Sequence, residues 1–177
     1  MQYNYDISEL WLNPSNLLMI AHNIKDGLQE YMTNSYLEKE LDTKYEELKV
    51  ILSELDAEIK LTAENAARTT IVVNSDALKY LEKYGFEVIS LDDTSESVSD
   101  RTIKEVKDMI DDGSVKHIFM LENIENNDIV TEIIDDTGVE TYTFRRLDSI
   151  SDSERDEDKN YITIMTENID LLKNELY

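Results

Sequence analysis

Almost all of the reactive side chains in this sequence are carboxylates: 40 Asp and Glu stand against 17 Lys and Arg, with two histidines and no cysteine. Carboxylate oxygen suits hard divalent cations such as Mn²⁺, Mg²⁺ and Ca²⁺. The pairs Asp92-Asp93, Asp111-Asp112 and Asp135-Asp136 fall at helix or strand edges, where they keep a surface solvated, and none follows a calcium-loop pattern. The run from Asp152 to Asp158 reads as an exposed loop that caps the last helix. An α/β enzyme using carboxylates such as Glu122 and Asp148 would need a base, nucleophile or cofactor motif, and none accompanies them. Without cysteine, disulfides, thiolate metal sites and Cys nucleophiles are excluded together. His22 falls on a helical pattern and His117 inside a strand pattern, and Ser75 has no nucleophile elbow around it, so no Ser-His-Asp arrangement is in prospect. Glycines at 27, 85, 113 and 138 form neither a G-x-G-x-x-G nor a P-loop, which removes the Gly-rich phosphate cradle. The formal net charge of −23 repels phosphate backbones and anionic membranes, so nucleic acid is not an expected partner.

These residues must be positioned by two kinds of element. Asn13-Pro14 marks a helix start, because Asn accepts from the first free N–H groups and Pro at the first position has none to lose. Leu17, Ala21, Ile24, Leu28 and Tyr31 then form one apolar stripe, broken by Thr33-Asn34-Ser35. A second stripe through Leu37, Leu41, Tyr45, Leu48, Leu52, Leu55 and Ile59 predicts a helix of roughly thirty residues. After Arg68 the rhythm becomes β-rich runs alternating with amphipathic segments, the pattern of a parallel sheet. Strands are predicted over 69–73, 86–91, 116–121 and 139–144. Helices through Ala77 to Leu81, Ile103 to Ile110, and Ile129 to Ile134 separate them, stopping at Gly85, Gly113 and near Gly138. A polar loop spans Asp92 to Ser99, and a final helix carries Ile162, Met165, Ile169, Leu172 and Leu176. The expected fold is α/β: two N-terminal helices, the second long, on a four-stranded parallel sheet with helices on both faces. Residues 1–67 and 68–177 form its two parts, together one compact domain. Ligand-facing residues of such a sheet follow the strand ends, here Asn74, Asp92, Glu122 and Arg145.

Four motifs in the right order carry a resemblance over nearly the whole chain. Glu9-Leu10-Trp11-Leu12-Asn13-Pro14 resembles the H-x-W-L-[DS]-P segment that opens the linking helix of manganese- and zinc-type substrate-binding proteins of ABC transporters. The run Asn74 to Gly85 is similar to that family's H-x-A-F-x-Y-L-x-x-x-Y-G after the first strand of the second lobe. Leu147-Asp148-Ser149-Ile150 resembles L-[DE]-S-[LI], and Tyr161 to Ile169 resembles the closing Y-[IL]-x-[IL]-M-x-x-N-[IL].

The resemblance implies a C-terminal lobe with its linking helix, and places the family's metal ligands at Glu9, Ser75 and Asp148. Of these only Asp148 keeps the expected chemistry. Glu9 offers carboxylate oxygen, Ser75 is a poor ligand for a divalent ion, and Arg145 and Arg146 compete with a cation for the charge of Asp148. The residue-level alternatives are an exposed Glu9, a Ser75 that caps the next helix and an Asp148 that shapes a turn. The implied partners are a missing N-terminal lobe and an ABC permease, and the implied location is outside the membrane on a lipid-anchored parent. The chain itself shows no export signal, its start at Met1 to Asp6 having neither a basic head nor an apolar stretch. Zn or Mn is expected only in a full-length protein, with no tight metal and no cofactor in this chain alone. Weak self-association is expected around Trp11, where a partner lobe would be absent. The alternative reading is an acidic, ligand-free interaction or adhesion-like module on the same scaffold.

Overall fold

The computed structural model describes residues 7–94 and 97–177; the chain start and two residues of the predicted polar loop, Ser95 and Glu96, lie outside the described residues. Its sheet is four-stranded and parallel, with β1 Thr70–Val73, β2 Glu87–Ser90, β3 His117–Leu121 and β4 Glu140–Phe144 in the order β2-β1-β3-β4. Ile71 is in register with Val88, Val72 with Ile118, and Phe119 with Tyr142. Each predicted strand is present but starts one residue later, and β2 also ends one residue earlier.

Strand side chains alternate between two cores, as a period of two demands. Ile71, Val73, Phe119 and Leu121 face one side, Val72 and Ile118 the other. The first core is covered by Leu52, Leu55 and Ile59 of α2 (Ser35–Asn65) and by Met165, Ile169 and Leu172 of α6 (Tyr161–Leu176). The second is covered by Val106 of α3 (Asp100–Asp111) and by Val130 and Ile133 of α4 (Asp128–Thr137). Helices therefore lie on both faces, as expected.

Asn13 caps α1 (Pro14–Gln29), its side chain accepting from Ser15 N at 3.0 Å, with Pro14 in the first turn. Asn34 caps α2 in the same way through Tyr36 N. At 1.5 Å per residue the 31 residues of α2 reach about 46 Å. Only the half from Leu52 onward enters the core; the first half pairs with α1, where Lys25 and Gln29 bind Asp42 at 3.3 and 2.9 Å. A latch fixes this hairpin to the segment that follows β1. The Tyr84 hydroxyl lies 2.6 Å from Asp56 Oδ1 and 3.1 Å from Asn13 Oδ1, and Lys83 Nζ donates to the same Asp56 oxygen at 3.2 Å. Burial opposes ionisation of Asp56, but hydrogen bonds from Ser15, Tyr84 and Lys83 outweigh it and hold the carboxyl below its ordinary value.

Two segments differ from expectation. The predicted helix after β1 is a 3₁₀ segment, Asp76–Tyr84, ended by Gly85 at φ 102°. Its buried residues recur every three positions, Leu78-Leu81-Tyr84 and Ala77-Tyr80, which suits three residues per turn better than 3.6. The acidic loop contains a short helix, α5 (Asp152–Asp156), started by a capping box between Ser151 and Glu154. That signal is present in the sequence as Ser-x-x-Glu. Before α1, residues Ile7–Leu12 form a further 3₁₀ segment interrupted at Glu9, whose backbone (φ −121°, ψ 31°) leaves the helical region.

Candidate functional site

The carboxyl ends of the strands meet the segment before α1, and that junction holds two of the three resemblance-matched positions. Asn74, following β1, is buried and spans two strands: its N–H donates to Phe119 O at 3.0 Å and its Oδ1 accepts from Leu121 N at 2.8 Å. This is the point where successive connections leave the sheet in opposite directions, the usual ligand crevice of an open α/β sheet. Ser75 is committed to the backbone, its Oγ accepting from Ala77 N at 3.3 Å as the cap of the 3₁₀ segment. The neighbouring Asp76 faces β2, accepting from Ser90 Oγ at 2.6 Å and pairing with Lys79 at 2.7 Å.

On the other side of the crevice, Glu122 after β3 meets the two arginines after β4. Its Oε1 lies 2.8 Å from Arg145 Nε, and its Oε2 accepts from Arg146 N at 3.2 Å. Arg145 also binds Glu154 through Nη1. That bond, with those from the Ser151 backbone and hydroxyl, holds the Glu154 carboxyl down at about 2. The same bond, aided by Glu122, pushes the Arg145 guanidinium further above its ordinary value.

Arg146 carries the junction. Glu9 is 6% exposed, and its Oε1 accepts from Arg146 Nε at 2.7 Å with Nη2 at 2.5 Å. Asp148 Oδ2 lies 3.6 Å from the same Nε. The structure thus brings Glu9 and Asp148 together, but onto a guanidinium. Asp148 also accepts from the Ser149 hydroxyl at 3.2 Å. Between the arginine and Asp148, Leu147 takes φ 64°, a left-handed conformation uncommon for a residue with a Cβ, while its side chain packs against the first core.

Backbone pins hold this arrangement. Trp11 Nε1 donates to Arg146 O at 2.9 Å, and the Tyr161 hydroxyl donates to Trp11 O at 2.8 Å. Asn168, with no exposed surface, accepts from Arg145 N at 2.8 Å and donates to Arg145 O at 2.9 Å. The closing motif from Tyr161 to Ile169 therefore supports the junction from α6, with its first residue on Trp11 and its asparagine on Arg145.

A divalent cation is poorly served here. Among the described residues no group of three or more His, Asp or Glu is placed to hold a metal. Two matched carboxylates share a positive side chain and the matched serine is a cap, so the donor set does not fit Zn²⁺ or Mn²⁺. The expectation that Glu9 is simply exposed is corrected: it is a buried partner of Arg146, 137 residues away in sequence. Trp11, around which self-association is expected, is half-buried with its N–H bonded. Neither His is near the junction. His22 lies 3.4 Å from Asp26 on α1, and His117 sits between Glu175 at 2.7 Å and the stacked ring of Tyr142 at 3.8 Å. Position after a strand end was a signal for Arg145; nothing local in the sequence ties Arg146 to Glu9.

A parallel α/β lobe with a helical hairpin before the sheet and a carboxylate-arginine junction at the strand ends is the class of structure these elements define. The model of the zinc-uptake complex component A family, described as periplasmic, matches residues 6–175, and the chain belongs to that family. It is 26% identical over 172 residues to the high-affinity zinc uptake system protein ZnuA of Bacillus subtilis (94% of this chain, 52% of the relative). It is 23% identical over 169 residues to the zinc-binding protein AdcA of Streptococcus pyogenes (93% of this chain, 32% of the relative). The chain thus spans about half the length of the first and a third of the second. Among solved structures, the metal-dependent lipoprotein YcdH of B. subtilis superposes with a TM-score of 0.73 at 23% identity, covering 95% of this chain and 63% of that one. The Zn(II)-bound ZnuA-like domain of Streptococcus pneumoniae AdcA gives 0.69 at 19%, with the same coverage. At these identities the structural likeness speaks for the fold.

Proposed function

We propose that this chain is one lobe of the substrate-binding component of a zinc-type ABC transporter, in which the lobe's own hold on the metal cargo is weak or lost. Family membership and relatives described by zinc uptake or zinc binding support the transport role. The observation that carries the loss is Arg146, which takes up both Glu9 and Asp148. In this reading residues 1–67 and 68–177 act as one unit, and the lobe is not an enzyme. Glu9 and Asp148 are what remains of a metal site, whether for zinc or manganese, and Ser75 is a ligand already replaced. The parent protein works outside the membrane on a lipid anchor, with an N-terminal lobe completing the cleft and an ABC permease receiving the cargo.

Calorimetric titration with Zn²⁺ and with Mn²⁺ at physiological salt tests this. We expect only weak, salt-sensitive association, the diffuse attraction of a highly acidic surface. A one-to-one isotherm in the submicromolar range, abolished by Asp148→Ala, would overturn the reading.

A ligand-free interaction or adhesion-like module is the second reading. It is favoured by the apolar residues left exposed on the helical hairpin, Met19, Ile24, Leu28 and Tyr31 among them. Such a module self-associates weakly through that face. Sedimentation at high concentration that shows a strict monomer would count against it.

A further inference from the structure

We propose that α1 is the contact surface for a second copy of this chain, the two α1 helices crossing at Gly27 so that two hairpins close into a four-helix bundle; the proposal rests on the reading of the chain as an interaction module given above. Three of the four glycines stand at positive φ, where the backbone needs them. Gly27 does not. It lies inside α1, an added Cβ there would meet nothing within 4 Å, and a helix interior favours Ala over Gly. Nothing within one copy therefore calls for a glycine at this position. The close approach of another helix does, because the distance between two packed helices is set by the side chains at their crossing.

The surroundings of Gly27 suit a copy of the same helix. Ile24, Leu28 and Tyr31 share its face at helical spacing and are 57%, 51% and 86% exposed. Ile24 and Leu28 also line, with Leu41 and Leu48 of α2, a groove of about 280 Å³ along the flank of the hairpin. The glycine supplies a gap and its neighbours supply apolar side chains to enter it, so one patch carries both halves of an isologous contact. Charge selects the same partner. The molecule carries −23, yet α1 contains a single lysine and a single aspartate. The two lysines beside the groove, Lys25 and Lys44, are paired with Asp42 and Glu47 of their own copy. Two copies thus repel each other over most of their surface and least across this face, whereas a cationic partner would be drawn to the acidic surface elsewhere.

The test is sedimentation equilibrium of the whole chain up to millimolar concentration, at physiological and at high sodium chloride, with a thermal melt of each variant. The wild type is expected to show a reversible monomer–dimer equilibrium. Gly27→Gln and Ile24→Gln should each weaken it by roughly tenfold or more, while Leu61→Gln, which changes an exposed residue of α2 outside the flank, leaves it unchanged. Gly27→Ala should melt no lower than the wild type and yet dimerise more weakly, which separates the contact from the fold. Added salt should tighten the dimer, since it screens repulsion between copies and spares the apolar contact. A dimer indifferent to Gly27→Gln or Ile24→Gln, weakened equally by Leu61→Gln, or dissociated by salt overturns the crossing and leaves the interaction reading standing. A strict monomer overturns both, the flank then belonging to some other occupant. Should Gly27→Gln melt below the wild type, Gly27→Ala decides.

Discussion

Asn168 has no exposed surface, yet its amide is spent on the backbone of a single residue, Arg145, in the two-way pattern of a strand neighbour. Replacement by Leu keeps the volume and strands an N–H and a C=O at the end of β4. We expect Asn168→Leu to lower unfolding free energy in urea by about 2–4 kcal/mol, whereas a loss under 1 kcal/mol would show that the β4 end holds without it. Glu154 makes a pH prediction. Its carboxyl falls from an ordinary 4.5 to about 2 in the folded chain, chiefly through Arg145 and then Ser151. A folded value below the unfolded one contributes stability that is present above the ordinary range and lost as pH falls from 4.5 toward 2. Glu154→Gln should flatten that acid limb in melts at stepped pH; a limb parallel to wild type would refute the assignment. At this scale the sequence was partly legible. Asp148 beside two arginines announced a local charge competition, but the Glu9 contact depends on how the 3₁₀ segment before α1 meets the strand ends, which no spacing rule encodes.

The elements were more legible, because periodicity records which face is buried. The β-rich runs became the strands, Asn13 began the first helix as its cap, and the break at Thr33-Asn34-Ser35 became the start of the second, capped by Asn34. Misreadings came where a period of three passed for 3.6, at Asp76–Tyr84, and where a five-residue helix hid in a charged loop. Helix α2 shows the limit of the pattern: its stripe is continuous, but only the half from Leu52 meets the sheet core. Its first half packs on α1, with Leu48 reaching the edge of the first core. Leu55→Ala should therefore cost about 2–5 kcal/mol, and Leu41→Ala, which is half-buried, clearly less. Hydrogen exchange should grade along the same helix, with amides before Val50 exchanging faster than those from Leu52 to Ala63. Uniform protection over all 31 residues would mean that the hairpin is stabilised by contacts beyond α1.

For the molecule as a whole, a net charge of −23 sets up self-repulsion that opposes compactness. Exposed pairs such as Lys44–Glu47 and Lys49–Glu46 relieve little of it, since solvent screens such contacts. Added sodium chloride at neutral pH should thus raise the melting temperature by roughly 2–4 °C, the shift that about 1 kcal/mol produces in a chain of this size. A fall on adding salt would mean that the ion pairs, not the repulsion, dominate. One ring offers a view of how the whole chain closes. Trp11 is the only tryptophan, and two of its hydrogen bonds reach residues 135 and 150 positions away. Contacts of such long sequence separation tend to form late in folding, after the helices and nearest strands. In stopped-flow refolding, tryptophan emission should lag behind far-ultraviolet dichroism, so that the light of a single native fluorophore times the moment at which the beginning of the chain meets its end.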